Sequence, residues 1–155
     1  MKKKLLIIVP IIIFVILGVS YLPIKLSVKS KYIGTYGTLE SPDLNGTLTL
    51  QVKGTYERNL LRDDVFTGQI TIDEFDTSYD VSMNFAKEPY EAFVYYMEYG
   101  KPKQFGRMVT TKLFDEFIIY VYEDEQWDPS IDSLIVFPAD TAAKAKDLIS
   151  VISSN

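Results

Sequence analysis

From Thr47 to Phe137 apolar side chains return at every second position, the period at which a strand turns successive residues to opposite faces. In "TLTLQV" Leu48, Leu50 and Val52 share one face, and Thr47, Thr49 and Gln51 the other. "VFTGQITID" groups Phe66, Gly68, Ile70 and Ile72; "SYDVSMNF" groups Tyr79, Val81, Met83 and Phe85; "AFVYYMEY" groups Phe93, Tyr95, Met97 and Tyr99. "FGRMVTTKL" is a weaker strand candidate and "SLIVF" closes the set. "FIIYVYED" is apolar on both faces until its acidic end, which predicts a central strand covered from two sides. Connections between these runs are short, whereas parallel pairing needs crossovers of about a dozen residues or more, so an antiparallel meander is expected. Asn45-Gly46 in "SPDLNGT" supplies turn chemistry, and Asn45-Gly46-Thr47 also has the form of a glycosylation sequon.

The period changes after Pro138. Asp140 is placed to cap a helix over 140–152, in which Ala145, Leu148, Ile149 and Ile152 form one apolar stripe. That stripe needs a partner, either an open end or exposed face of the sheet or a second protein. The expected fold is mainly β, α+β at the margin: a single antiparallel meander of roughly seven or eight strands, forming a barrel or strongly curved sheet, with a C-terminal amphipathic helix.

At the other end stands "MKKKLLIIVPIIIFVILGVSYLPIKL", with 18 uncharged residues from Leu5 to Leu22. At about 1.5 Å per residue this run spans roughly 27 Å as a helix, close to the bilayer's hydrocarbon core of about 30 Å. It predicts a transmembrane signal-anchor over residues 1–22, in which Pro10 is tolerable. Gly18-Val19-Ser20 loosely fits a cleavage site, so a secreted soluble β protein released after Ser20 is the alternative. Lys2, Lys3 and Lys4 on a short tail place the N-terminus in the cytoplasm and the rest of the chain outside, because long domains translocate largely regardless of charge. Lys25, Lys29 and Lys31 mark residues 23–31 as a basic juxtamembrane linker, either solvated or touching anionic headgroups, ahead of an extracytoplasmic β domain over 32–155.

Charge narrows the partners. The 155 residues carry 16 basic and 21 acidic side chains; setting aside Lys2, Lys3 and Lys4 leaves 13 against 21, a net of −8, which argues against nucleic acid. A hydrophobic share of 47% with 14% aromatics is that of a folded domain rather than a disordered tail.

Histidine and cysteine are absent, which removes Ser-His-Asp and Cys-His catalysis, thiolate chemistry, a lipoprotein anchor and the usual zinc and iron sites. Nucleotide-binding glycine loops are absent as well. Thr141-Ala142-Ala143-Lys144 has the spacing of a hydroxyl–lysine dyad, which a capped helix explains equally well. Carboxylates at strand ends leave one catalytic route: Asp73, Glu74 and Asp76, or Glu123, Asp124, Glu125, Asp128 and Asp132, as the acid pair of a hydrolase acting on an envelope substrate. Asp124, Asp128 and Asp132 recur every fourth residue and form a weak alternative as a metal site; no metal and no cofactor is assigned. Tyr90, Tyr95, Tyr96, Tyr99, Tyr120, Tyr122 and Trp127 are the candidate ligand platform, since adjacent strand residues cannot all point into a core. "GTYERNLLRDDVFTG" reads either as a recognition loop or as a salt-bridged turn whose leucines cap the core.

The layout resembles small envelope proteins of Gram-positive bacteria that carry one N-terminal anchor and an extracytoplasmic β domain. This likeness lies in general organisation across the chain, without a shared motif. The expected function is a non-enzymatic binding or interaction module at the outer face of a membrane. Its partners are the lipid bilayer through residues 5–22 and a protein or envelope ligand.

Overall fold

The computed structural model describes residues 18, 21–38, 46–73, 75, 77–112, 114–122 and 133–153. These form strands β1 (Ile24–Thr38), β2 (Gly46–Arg58), β3 (Val65–Ile72), β4 (Thr77–Asn84), β5 (Tyr90–Glu98), β6 (Lys101–Lys112), β7 (Glu116–Val121) and β8 (Ser133–Phe137), then helix α1 (Ala142–Ser153). Each strand pairs antiparallel with the next, and β8 returns to β1, closing an up-and-down barrel.

The strand that completes the ring is β1. Residues 24–31, read from sequence as linker, lie within it, and Ile24–Tyr36 pairs in unbroken register with Gly46–Arg58. Ile24, Leu26, Val28 and Tyr32 alternate with Lys25, Lys29 and Lys31, so the strand period was present beneath the basic charge. β8 reaches only Thr35–Thr38, and lysines along the remainder of β1 discourage pairing with a foreign strand.

Inside the barrel, Leu48, Leu50, Val52, Phe66, Ile70, Ile72, Tyr79, Val81 and Met83 face inward as their alternation predicts. An eight-stranded barrel is just wide enough for side chains to fill it. Aromatic rings close one end: Phe66 lies 4.3 Å from Phe114, and Phe117 stacks on Phe137 at 5.1 Å. Buried Thr110 donates its hydroxyl to the Glu116 carbonyl at 2.5 Å, satisfying the polar group in the apolar wall.

The outer wall of β6–β8 is dry too. Val109, Ile118, Leu134 and Val136 are buried beneath α1, against Ala145 and Ile152, with Leu148 and Ile149 half-buried beside them. The helical stripe thus meets the barrel, and β7 is covered on both faces. Capping differs from expectation. Thr141 Oγ1 accepts the Lys144 N–H at 3.4 Å, while Asp140 pairs instead with the Lys144 ammonium at 2.7 Å. That hydrogen bond holds the Asp140 carboxyl below the usual carboxylate range. The helix begins at Ala142, two residues after the start expected from sequence, and ends at Ser153.

Strand directions sort the connections. The start of β1 and the β2–β3, β4–β5 and β6–β7 loops lie at one end; the β3–β4 and β5–β6 turns lie at the other.

Candidate functional site

β5 carries apolar residues on both faces, and only one face fits inside. Ala92 and Val94 are buried, with Val94 opposite Val81 and Gly106. Tyr90 and Tyr96 complete the inward row. The larger set goes outward: Phe93 is 49% exposed, Tyr95 38%, Met97 60% and Tyr99 98%. Phe93, Tyr95 and Met97 share a face of β5, as their spacing predicts, but it is the solvent face; Tyr99 lies beyond the strand, exposed in the turn that follows.

Phe93 and Tyr95 rings lie 6.3 Å apart at 59° beside an open depression of about 420 Å³ that crosses β3, β4 and β5. Its polar lining is Thr67, Gln69, Asp80 and Ser82, with the Gln69 amide donating to the Asp80 carboxylate at 3.1 Å. On the other flank Arg107 stands between Phe93 and Tyr120 in the cross-strand row. Its guanidinium sits 5.3 Å from the Tyr120 ring centre and 3.5 Å from Glu91, and its buried Nε has no hydrogen-bond partner.

At the end of the stripe, Tyr99 and Gly100 form a two-residue turn between paired Glu98 and Lys101. Both have positive φ, 50° at Tyr99 and 75° at Gly100, the pattern that Asn-Gly ordinarily serves. A tyrosine there carries backbone strain without burying its ring.

The sequence-derived tyrosines do not converge. Tyr95 lies on the outer stripe with Phe93 and Met97, and Tyr99 in the turn at the end of that strand. Tyr90 packs 4.9 Å from Phe85 and donates to Glu88 at 3.0 Å, a bond that raises its pKa. Tyr96 lies 6.1 Å from Tyr79, whose hydroxyl is pushed up to about 12 by burial. Tyr120 packs against the α1 cluster, and Tyr122 follows β7, its N–H donating to the Phe105 carbonyl at 3.0 Å. Trp127, Glu123, Asp124, Glu125, Asp128 and Asp132 lie outside the described residues, as do Glu74, Asp76 and Asn45; Asp73 is exposed. Among the described residues no three metal-ligating side chains come together.

At the opposite end, the β2–β3 loop departs from its expected form. Asp64 accepts from the Tyr56 hydroxyl and from the Asn59 N–H at 2.7 Å, while the Asn59 amide donates to the Asp63 carbonyl at 2.8 Å. Burial, with the bond to Asp64, pushes Tyr56 up to about 12. The leucines do not cap the core. Phe66, Phe85 and Phe114 rings already occupy that end, and Leu60 and Leu61 stand 64% and 54% exposed.

Comparison with protein-family models, curated proteins and solved structures returns no match to this chain. No helix among the described residues is long and apolar enough to cross a membrane; residues 5–17, 19 and 20 of the expected span lie outside them.

Proposed function

We propose that the protein is a non-enzymatic interaction module, held at the outer face of a membrane by residues 5–22, with the outer stripe of β5 as its contact surface. The observation that carries this reading is Tyr99, 98% exposed at positive φ at the end of a stripe that includes Phe93, Tyr95 and Met97. Folding alone gives no reason for large apolar groups at solvent-facing strand positions, or for a tyrosine where asparagine or glycine suits the backbone; contiguous exposed apolar area is a feature of interaction sites. Aromatic rings beside the Gln69–Asp80 pair suit a ligand with both apolar and hydrogen-bonding faces, such as a protein loop or an envelope glycan.

The membrane part of the proposal draws on the uncharged run from Leu5 to Leu22 and on the lysines before it. Binding of the full chain in detergent or vesicles to envelope fragments and membrane-protein extracts tests the function. A saturable partner whose binding falls on Met97→Ser and Tyr99→Asn supports it. Absence of saturable binding, or binding indifferent to both changes, overturns it.

A further inference from the structure

Six exposed apolar side chains gather where the chain enters the barrel: Tyr21, Leu22, Ile24, Leu26, Leu60 and Leu61. Ile24 pairs with Arg58, so the end of β2 lies beside the point at which the apolar N-terminal run stops. The loop that follows is tied to that point, because the Arg62 guanidinium donates to the Tyr21 carbonyl at 3.2 Å. If residues 5–22 span a bilayer, Leu60 and Leu61 stand at its surface, within a headgroup layer about 5–8 Å deep on each side.

We propose that the β2–β3 loop is a second membrane contact: Leu60 and Leu61 enter the boundary between headgroups and acyl chains beside the anchor. This rests on the membrane-anchored reading above. The leucines are exposed, and two of the nearby carboxylates are already engaged within the fold. Asp64 is occupied by Tyr56 and Asn59, and Glu57 is paired with Lys25 at 2.9 Å. Arg58 and Arg62 flank the leucines, and their long stems allow the charges to remain at phosphate level while the leucines go deeper. Asp63 is the exposed carboxylate that opposes insertion. Even partial insertion is effective, because the covalent anchor has already brought the loop to the surface. The contact fixes the barrel's tilt and turns the opposite end, with the Tyr99–Gly100 turn, away from the lipid.

The sequence has no cysteine, so Leu61→Cys and Tyr99→Cys each accept one environment-sensitive fluorophore. Both are made in the full chain and reconstituted in vesicles of phosphatidylcholine and phosphatidylglycerol. Emission at position 61 is expected to be blue-shifted, quenched by brominated lipid, and several-fold less sensitive to aqueous iodide than emission at position 99. Equal iodide quenching at the two positions overturns the contact, as does a label at 61 shielded from both quenchers, which would mean cover by protein. Flotation of the same vesicles separates the two readings. A chain that fails to float removes the anchor and the contact together, whereas a floating chain with a water-exposed label at 61 removes the contact alone.

Discussion

Gly54 and Gly68 face one another across β2 and β3, and a Cβ on Gly68 would lie 2.7 Å from the Gly54 Cα and 2.5 Å from the Phe66 ring. A Cβ on Gly54 would meet the Thr67 carbonyl oxygen at 2.5 Å and the same ring at 2.6 Å. Phe66 is completely buried, so neither backbone nor ring has room to withdraw. Gly68→Ala is expected to destabilise the barrel by about 1–3 kcal/mol through overpacking, and Gly54→Ala by a similar amount. The measurement is a lowered denaturation midpoint in urea with an unchanged slope.

Tyr56 and Tyr79 both ionise near 12, raised from 10.0 chiefly by burial. Between those pH values the unfolded chain has released protons that the native state still holds, so stability falls as pH rises through this window and is fully present below it. Absorbance titration of the folded protein should show late-ionising tyrosines, and the unfolding midpoint should drop between pH 10 and 12. Tyr56→Phe removes a donor from Asp64, which retains the Asn59 N–H, and is expected to cost about 1.5–3 kcal/mol at neutral pH, the range for a hydrogen bond to a charged group.

The barrel was legible wherever one face of a strand was clearly apolar. β2, β3 and β4 bury the residues that their alternation marks, and β7, apolar on both faces, lies between the interior and α1. β1 was hidden because Lys25, Lys29 and Lys31, next to an apolar run, read equally well as a solvated linker; its pairing with β2 decides the matter. On β5 the alternation is ambiguous in sign. Phe93, Tyr95 and Met97 are larger than Ala92 and Val94, yet the smaller set faces the interior, beside Val81 and Met108. Which face of such a strand is buried depends on neighbours that sequence period does not contain. The candidate tyrosines scattered for the same reason: Tyr95 and Tyr96 are adjacent in the chain and therefore on opposite sides of the wall.

α1 closes a surface that would otherwise be wet. Ala145 is completely buried against the outer wall formed with Val109, Ile118, Leu134 and Val136. Ala145→Glu places an unpaired carboxylate there and should detach the helix, uncovering that wall; the expected readout is new binding of a hydrophobic dye together with aggregation on warming. Lys146→Glu, on the exposed side of the same helix, should change stability by no more than about 0.5 kcal/mol.

Tyr99 and Phe114 are the non-glycine residues with positive φ among the described residues, at 50° and 55°. Their surroundings are opposite. Phe114 is 2% exposed and packs on Phe66, Phe85 and Phe117, so ring burial offsets its strained backbone, whereas the Tyr99 ring is 98% exposed. Phe114→Ala should therefore cost about 3–5 kcal/mol, the range for removing a buried aromatic ring. Tyr99→Asn should do the reverse, adding up to about 1 kcal/mol because asparagine tolerates left-handed backbone better. The same substitution should weaken capture of the partner by the β5 stripe. A variant that is more stable in urea yet binds less well would show that tyrosine is kept at this turn for contact rather than for folding. Equal binding by wild type and Tyr99→Asn would remove Tyr99 from the contact surface and leave its strain without a functional reason.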